Sequence, residues 1–336
     1  MDLVTGATGI VGSHVLLECA RLGPVRAIHR GTADRTIVDR IFRFYRDDAE
    51  ELLARIEWHE AGLEDTDALH EAMVGVRHVF HAAAVVSFDP QDAKSMDRVN
   101  VQGTANVVNA ALAHNVERLC HVSSTATIGS APSDVLRNED LPWTTDRHTS
   151  GYALSKYAAE LEVHRGIAEG LDAVMVNPCV IIGPGAAGRS SMTLMERLQK
   201  GTGFYPPGTN AVVDARDVAR CMMQLVEQGK TGQRYLLVGE NLSYRTLFTE
   251  LAHAFGRPAP HRAIRPWMLE LGWRIERLRS LLTGSKPFLT AATANSAITK
   301  RSYDASKVRQ LLDHDFISAK DAVENVARFL RGDRAY

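Results

Sequence analysis

Cysteine is scarce in this sequence. The four that occur, Cys19, Cys120, Cys179 and Cys221, lie far apart, with no CxxC pair and no Cys/His cluster. That scatter argues against a disulfide framework or a bound metal and favours a reducing compartment. An excess of one charge is missing too: 39 basic side chains face 40 acidic ones, for a formal net charge of −1. No global field draws the chain to nucleic acid or to an anionic membrane, so an anionic ligand must meet a local patch. Long hydrophobic runs are absent, since nowhere do about 18 apolar residues follow one another. The opening MDLVTGATG is not a basic-then-apolar leader. The expectation is a cytoplasmic protein whose partner is a small molecule rather than nucleic acid or a membrane.

What is present is ample apolar residue in an alternating arrangement. With 45% hydrophobic content over 336 residues, one large domain or two closely joined ones can bury a substantial core. Short apolar runs, DLVT, VRAI, RIEW, HVF, RLCHVS and AVMVN, read as strands separated by stretches of helical periodicity. This is the βαβ pattern of a parallel, doubly wound α/β sheet. RYLLVG at 234–239 reads as a further edge strand. Between these last two runs the chain is rich in Gly and Pro, as loops are. After residue 240 helical patterns dominate; in RPWMLELGWRIERLRSLL, Pro266 suits a first turn and Trp267, Leu271, Ile275, Leu278 and Leu282 form one apolar stripe. The expected division is a nucleotide-binding domain over 1–178, with returning segments near 211–239. A smaller, mainly helical substrate lobe would then comprise 179–210 and 240–336.

The first strand runs into TGATGIVG, which sets Gly6, Gly9 and Gly12 three residues apart at a strand-to-helix turn. Glycine there lets backbone N–H groups approach a pyrophosphate, and the helix start supplies partial positive charge. A glycine triplet alone also suits a tight turn, but its place at the head of a βαβ series favours a phosphate loop. The second strand ends in VRAIHR without the acid that grips a ribose 2′-hydroxyl. Arg30, with His29 or Arg35 near it, stands where a cation would pair with a 2′-phosphate. A solvated loop arginine is the alternative; the reading favours NADP(H), with NAD(H) second.

The stretch GYALSKY at 151–157 opens a helix. Positions i and i+4 share a helical face, so Tyr152 and Lys156 can address one space, whereas Tyr157 diverges from Lys156 by about 100°. Alone, the pair also fits a packed tyrosine with a lysine snorkelling past it.

Taken together, TGATGIVG, HAAAVVSF at 81–88, NVQGTANVV at 100–108, HVSSTATIG at 121–129, YALSK at 152–156 and NPCVIIGPG at 177–185 resemble, in order, the motifs of the extended short-chain dehydrogenase/reductase family. The resemblance implies a Rossmann domain, a C-terminal substrate lobe and a Ser/Tyr/Lys group. Tyr152 would be the acid/base, Lys156 its partner on the phenol and the nicotinamide ribose, Ser124 the hydroxyl that holds a substrate oxygen, and Asn100 a steadying residue. Ser123 and Thr125 are the choices one register away from Ser124, and turn capping is an ordinary use for all three. Cofactor contacts are implied at Gly6, Thr8, Gly9, Ile10 and Gly12, and at Leu63, Ala82, Ala83, Pro178 and Val180, besides Arg30, Tyr152 and Lys156. Phe88, Thr125, Asn177, Phe204 and Tyr205 would line an apolar substrate pocket, core packing being the alternative for each aromatic.

Two positions depart from the pattern of the family. The loop after the third strand, EAGLED, carries Gly62 before Leu63 where an acid usually meets adenine, although Asp65 is close. Asn210 stands where nucleotide-sugar enzymes place a diphosphate-binding arginine, and Arg216 is on another register. NPCVIIGPG looks closer to the dihydroflavonol reductase and 3β-hydroxysteroid dehydrogenase branches. The leading expectation is an NADP(H)-dependent oxidoreductase acting on the carbonyl, or the alcohol, of a small, largely apolar substrate. A nucleotide-sugar epimerase or dehydratase is the alternative, and a non-catalytic dinucleotide sensor is one from another class. The arginine-rich stretch 262–286 reads as a solvated helix face. By analogy, a homodimer would form through the helices bearing Asn100 and Tyr152.

Overall fold

The computed structural model describes residues 1–146, 149–188 and 191–335. Six strands alternate with helices in the first half: β1 (Asp2–Thr5), β2 (Val25–His29), β3 (Ile56–Glu60), β4 (His78–His81), β5 (Arg118–Val122) and β6 (Ala173–Pro178). The others are β7 (Val180–Ile182), β8 (Phe204–Tyr205), β9 (Thr209–Asp214), β10 (Arg234–Leu237), β11 (Glu240–Ser243) and β12 (Arg262–Ala263). Seven strands form a parallel sheet in the order β10-β6-β5-β4-β1-β2-β3. Every residue of β4 and of β6 is buried, as expected of parallel strands covered on both faces. RYLLVG supplies β10 at the sheet edge, as its sequence suggests.

One face of the sheet is covered by Val11, Val15, Ile41, Val218 and Met222 from helices Ile10–Leu22, Thr36–Tyr45 and Ala215–Gln228. The other is covered by Leu69, Val107, Val108 and Val163 from helices Thr66–Met73, Gly103–Ala113 and Gly151–Ala168. The strand order reverses between β1 and β4, the crevice where doubly wound sheets receive ligands. A third apolar cluster joins Ile182, Met195, Val212, Leu251 and Val323 outside the large sheet.

The end of the chain packs on both sides of the boundary expected at 240. Tyr303, Val308, Leu312 and Phe329 join the core of the first domain rather than the lobe, and the Phe329 ring meets Phe44 edge-on at 5.3 Å. The end of the chain therefore returns to cover the Rossmann face. Helix Pro266–Thr283 begins with Pro266 in its first turn, as predicted. Its apolar stripe, however, faces outward: Trp267 is 61% and Leu282 78% exposed.

Candidate active site

The glycine loop is built by steric necessity. Gly6 has φ +67°, and a Cβ on it would stand 2.7 Å from the Ala83 backbone at the end of β4. A Cβ on Gly12 would collide with the Gly6 carbonyl, so the helix packs against the turn only without side chains. Gly9 caps helix Ile10–Leu22 with no side-chain hydrogen bond of its own, and its N–H donates to the Gly6 oxygen at 2.8 Å. This bare cradle at the strand-order reversal fits a pyrophosphate. Ala82 and Ala83 close its far side, their N–H groups held by the Thr5 backbone at 3.3 Å and the Thr5 hydroxyl at 3.2 Å. Arg30 is exposed at the end of β2 and has no carboxylate partner among the described residues. Sequence reasoning passed over Glu60: a Cβ on Gly31 would stand 2.5 Å from its carboxylate, so an acid lies beside the Arg30 loop.

Helix Gly151–Ala168 is started by Ser150, whose hydroxyl accepts from the Ala153 N–H at 3.1 Å. Its first turn presents Tyr152, whose phenol faces the Ser124 side chain. Burial raises the phenol pKa and the Ser124 contact opposes that rise. Ser124 is the one of three candidate hydroxyls that meets the tyrosine. The Ser123 hydroxyl is buried without a partner among the described residues, and Thr125 meets the hydroxyl of Tyr303. Tyr157 stacks on Trp143 at 4.5 Å, facing elsewhere. The Phe88 ring lies edge-on to Tyr152 at 5.7 Å and remains partly exposed, so an apolar wall stands beside the phenol.

Lys156 departs from expectation. It is almost wholly buried, and its ammonium donates to the Val122 carbonyl at 2.7 Å, with the His121 Nε2 at 3.5 Å. The lysine thus serves the end of β5 rather than the phenol, because that carbonyl has been removed from water and needs a donor. Burial pushes its pKa down to about 8, against the opposing charge of Glu160 one turn along the helix.

A buried polar layer lies underneath. The Glu160 carboxylate accepts from Thr127 at 2.9 Å and from the Asn177 carboxamide at 2.6 Å, and Arg234 approaches it at 3.5 Å. Asn177 is therefore not a pocket residue: it is fully buried and also donates to the Ser124 carbonyl at 3.2 Å, holding the turn from behind. On the other side the Ala83 N–H donates to the Thr5 hydroxyl. That hydroxyl is 2.7 Å from the His81 Nδ1, the His81 Nε2 is 2.9 Å from the Thr104 hydroxyl, and Thr104 donates to the Asn100 carbonyl at 2.6 Å. The direction of donation that satisfies every member leaves the proton of His81 on Nε2. His81 is neutral, burial and then Lys156 pushing its pKa down to about 3.

Asn100 lies in a π-helical turn, Asp97–Gln102, a local widening often found at functional sites. Its carboxamide accepts from the Val85 N–H at 2.7 Å and donates to the Val85 carbonyl and the Ser155 hydroxyl, each at 2.9 Å. It ties the loop after β4, which carries Phe88, to the helix that carries Tyr152.

The remaining expected residues are more dispersed. Leu63 is buried against Gly103 and its carbonyl accepts from Asn106 at 2.8 Å. Asp65 caps helix Thr66–Met73. Pro178 ends β6 in the core, and Val180 begins β7, half-buried. Thr8 and Ile10 are half-exposed around Gly9. Phe204 and Tyr205 form β8, a ribbon with β12, where Tyr205 lies under Arg245 at 5.5 Å. Arg216 grips Asp214 with two nitrogens, at 2.9 and 2.8 Å.

Most of the chain is similar to known proteins. The family model of the NAD dependent epimerase/dehydratase family matches residues 3–238. A putative dihydroflavonol 4-reductase of Synechocystis sp. is 30% identical over 339 residues, covering 98% of this chain and 94% of the relative. Sterol demethylase protein B of Methylococcus capsulatus is 30% identical over 276 residues, 80% of this chain and 78% of the relative. The crystal structure of gox2253 superposes with a TM-score of 0.80 at 29% identity, covering 99% of this chain and 98% of that one.

Proposed function

This chain belongs to the NAD-dependent epimerase/dehydratase family, NAD(P)-dependent enzymes of the extended short-chain dehydrogenase/reductase type, and from that premise we propose that it reduces the carbonyl of a small, largely apolar substrate with NADPH. The observation that carries this reading is the placement of the Ser124 side chain at the Tyr152 phenol, beside the Phe88 ring. The glycine cradle accepts the pyrophosphate, since a Cβ at Gly6 or Gly12 would fill it. Arg30 stands ready for a 2′-phosphate. A dinucleotide held there would supply the hydride.

The chain's own residues do the rest. Ser124 donates to the substrate oxygen and fixes it at the phenol; Tyr152 holds the proton that this oxygen takes up as the carbonyl becomes an alcohol. Lys156 holds the carbonyl end of β5 and, through it, the turn that carries Ser124. Phe88 excludes water from one side and favours an apolar substituent. Reductase names among the relatives support this reaction over sugar chemistry. A nucleotide-sugar substrate is disfavoured by a specific contact: Arg216 is spent on Asp214, and Asn210 accepts from the Ala211 N–H. In a homodimer the pairing surface would include Leu154 and Leu161, exposed on one side of helix Gly151–Ala168.

Stopped-flow oxidation of NADPH across a panel of aldehydes, ketones and UDP-sugars tests the reading. Turnover of an apolar carbonyl, lost in Tyr152→Phe with NADPH binding retained, is the expected result. Wild-type turnover in Tyr152→Phe, or conversion of the sugar nucleotides alone, overturns it. Arg30→Ala should weaken NADPH about tenfold or more while sparing NADH, as loss of a charged hydrogen bond to phosphate does; equal effects on both would remove the 2′-phosphate assignment.

A further inference from the structure

The outward stripe on helix Pro266–Thr283 has no use in the reaction and is costly to leave in water. Six large side chains, Trp267, Leu271, Ile275, Leu278, Leu281 and Leu282, are each at least half exposed. At about 100° per residue they fall within an arc of about 120°. The helix is held by its opposite side, where Leu269 and Ser280 are buried. An apolar face of this size on one helix marks an interaction surface.

Its chemistry selects among occupants. Residues 262–286 carry six basic side chains and two acidic ones. Both acids are already engaged, Glu270 by Arg274 at 2.7 Å and Glu276 by Arg279 at 2.8 Å. Arg265 and Arg277 have no carboxylate partner among the described residues. Trp267 sits at the helix start, where an amphipathic ring suits the boundary between water and acyl chains. A second copy of the chain would fit poorly, because a twofold contact would set this net-positive helix against itself.

We propose that helix Pro266–Thr283 docks the protein on the surface of an anionic phospholipid bilayer, its leucine stripe in the acyl boundary and its unpaired arginines on the headgroup phosphates. Docking is peripheral: among the described residues no helix is long and apolar enough to cross a membrane. The expectation that membranes are no partner is thereby revised for the surface alone. The docked face adjoins the proposed site, since Lys286, just beyond the helix, pairs with Asp92 at 2.7 Å and Asp92 accepts from Ser87 at 2.6 Å, next to Phe88. The inference stands apart from the reaction assigned above and does not need it.

Co-sedimentation of the full chain with phosphatidylcholine vesicles, with and without phosphatidylglycerol, tests it. Binding should be tighter to the anionic vesicles and weaken with salt. Arg277→Ala should lower that affinity about fivefold, and Leu271→Glu with Leu278→Glu should lower it about 100-fold or more. Unchanged melting and NADPH binding show that the variants fold, and Leu282→Gln, at the most exposed position, serves should the double variant not. Failure of the wild type to bind either vesicle overturns the proposal. So does binding that survives every stripe variant. A wild-type dimer that light scattering finds and the stripe variants lack, without vesicle binding, would assign the face to a second copy instead.

Discussion

Helices Gly151–Ala168 and Pro266–Thr283 are each 18 residues long, yet they invert the usual rule in opposite ways. The first buries a lysine and a glutamate to 2% and 1% exposure. The second turns tryptophan and leucine to the solvent. Exposed single apolar residues are ordinary, but a buried charge or a large exposed apolar face requires a reason. In the first helix the proposed reason is chemistry held in a low-dielectric layer. In the second it is a surface that becomes apolar contact only when something covers it. On the proposed readings each helix gives up stability to function, and the two sacrifices are separable by mutation.

The largest effect should come from Lys156→Met. Turnover is expected to fall about 100- to 10,000-fold, as for loss of a positioned polar group that orders the acid/base site. Folding should respond with the opposite sign. The folded pKa of Lys156 lies near 8, below the ordinary lysine value of 10.5, so between these values the unfolded chain binds the additional proton. Wild-type stability therefore rises with pH across that window, by up to about 3 kcal/mol for this group, and the Met variant lacks the rise. Urea melts at several pH values from 8 upward would show it. A flat difference between the two proteins would mean that the lysine is not desolvated as the structure has it.

Ser124→Ala is next, with turnover lowered about 10- to 1000-fold and NADPH binding retained. Ser123→Ala is its internal control, because that hydroxyl faces the interior; a crippled Ser123→Ala enzyme would move the site by one residue. Glu160→Gln probes the layer below. Removing its charge leaves Arg234 beside a neutral amide and deprives Lys156 of the group that props up its pKa. A loss of about 3 kcal/mol is expected from an uncompensated buried charge, with the Lys156 pKa moving further down. Thermal melting together with the pH profile of turnover would separate the two consequences.

How much of this was legible in the sequence follows from the range of the interactions. Strand runs, the Gly6–Gly12 loop and Pro266 are local signals, and each lies where its pattern put it. That Tyr152 and Ser124 face each other was expected from the family motifs, with Ser123 and Thr125 as the neighbouring registers. The engagement of Lys156 by Val122 was not, since it depends on a rotamer and on how the helix sits over β5. Nor was the chain from Thr5 through His81 to Thr104, which joins residues 76 and 23 positions apart through parallel pairing of β1 and β4. Asn177 and Glu160 could have been suspected as polar residues inside apolar patterns, Glu160 four places after Lys156. A signal of another kind was misleading at the C-terminal helix. Period 3.6 identifies an apolar face, but it is silent on whether that face meets core or solvent.

The smallest effect is the sharpest check on that last point. Leu278→Ala removes a large side chain from helix Pro266–Thr283, and alanine is the better helix former. If the side chain is exposed in the free protein, stability should change by no more than about 0.5 kcal/mol. Val163→Ala, in helix Gly151–Ala168 and fully buried, removes fewer atoms yet should cost about 1 to 2 kcal/mol, because it leaves a cavity between helix and sheet. Both can be read from urea denaturation of dilute protein without lipid. A Leu278→Ala loss as large as that of Val163→Ala would mean that the stripe is already packed against protein, and the contrast between the two helices would collapse. A near-zero change that grows to a measurable loss only in the presence of vesicles would leave the two helices as described, one buried for chemistry and the other waiting for a surface.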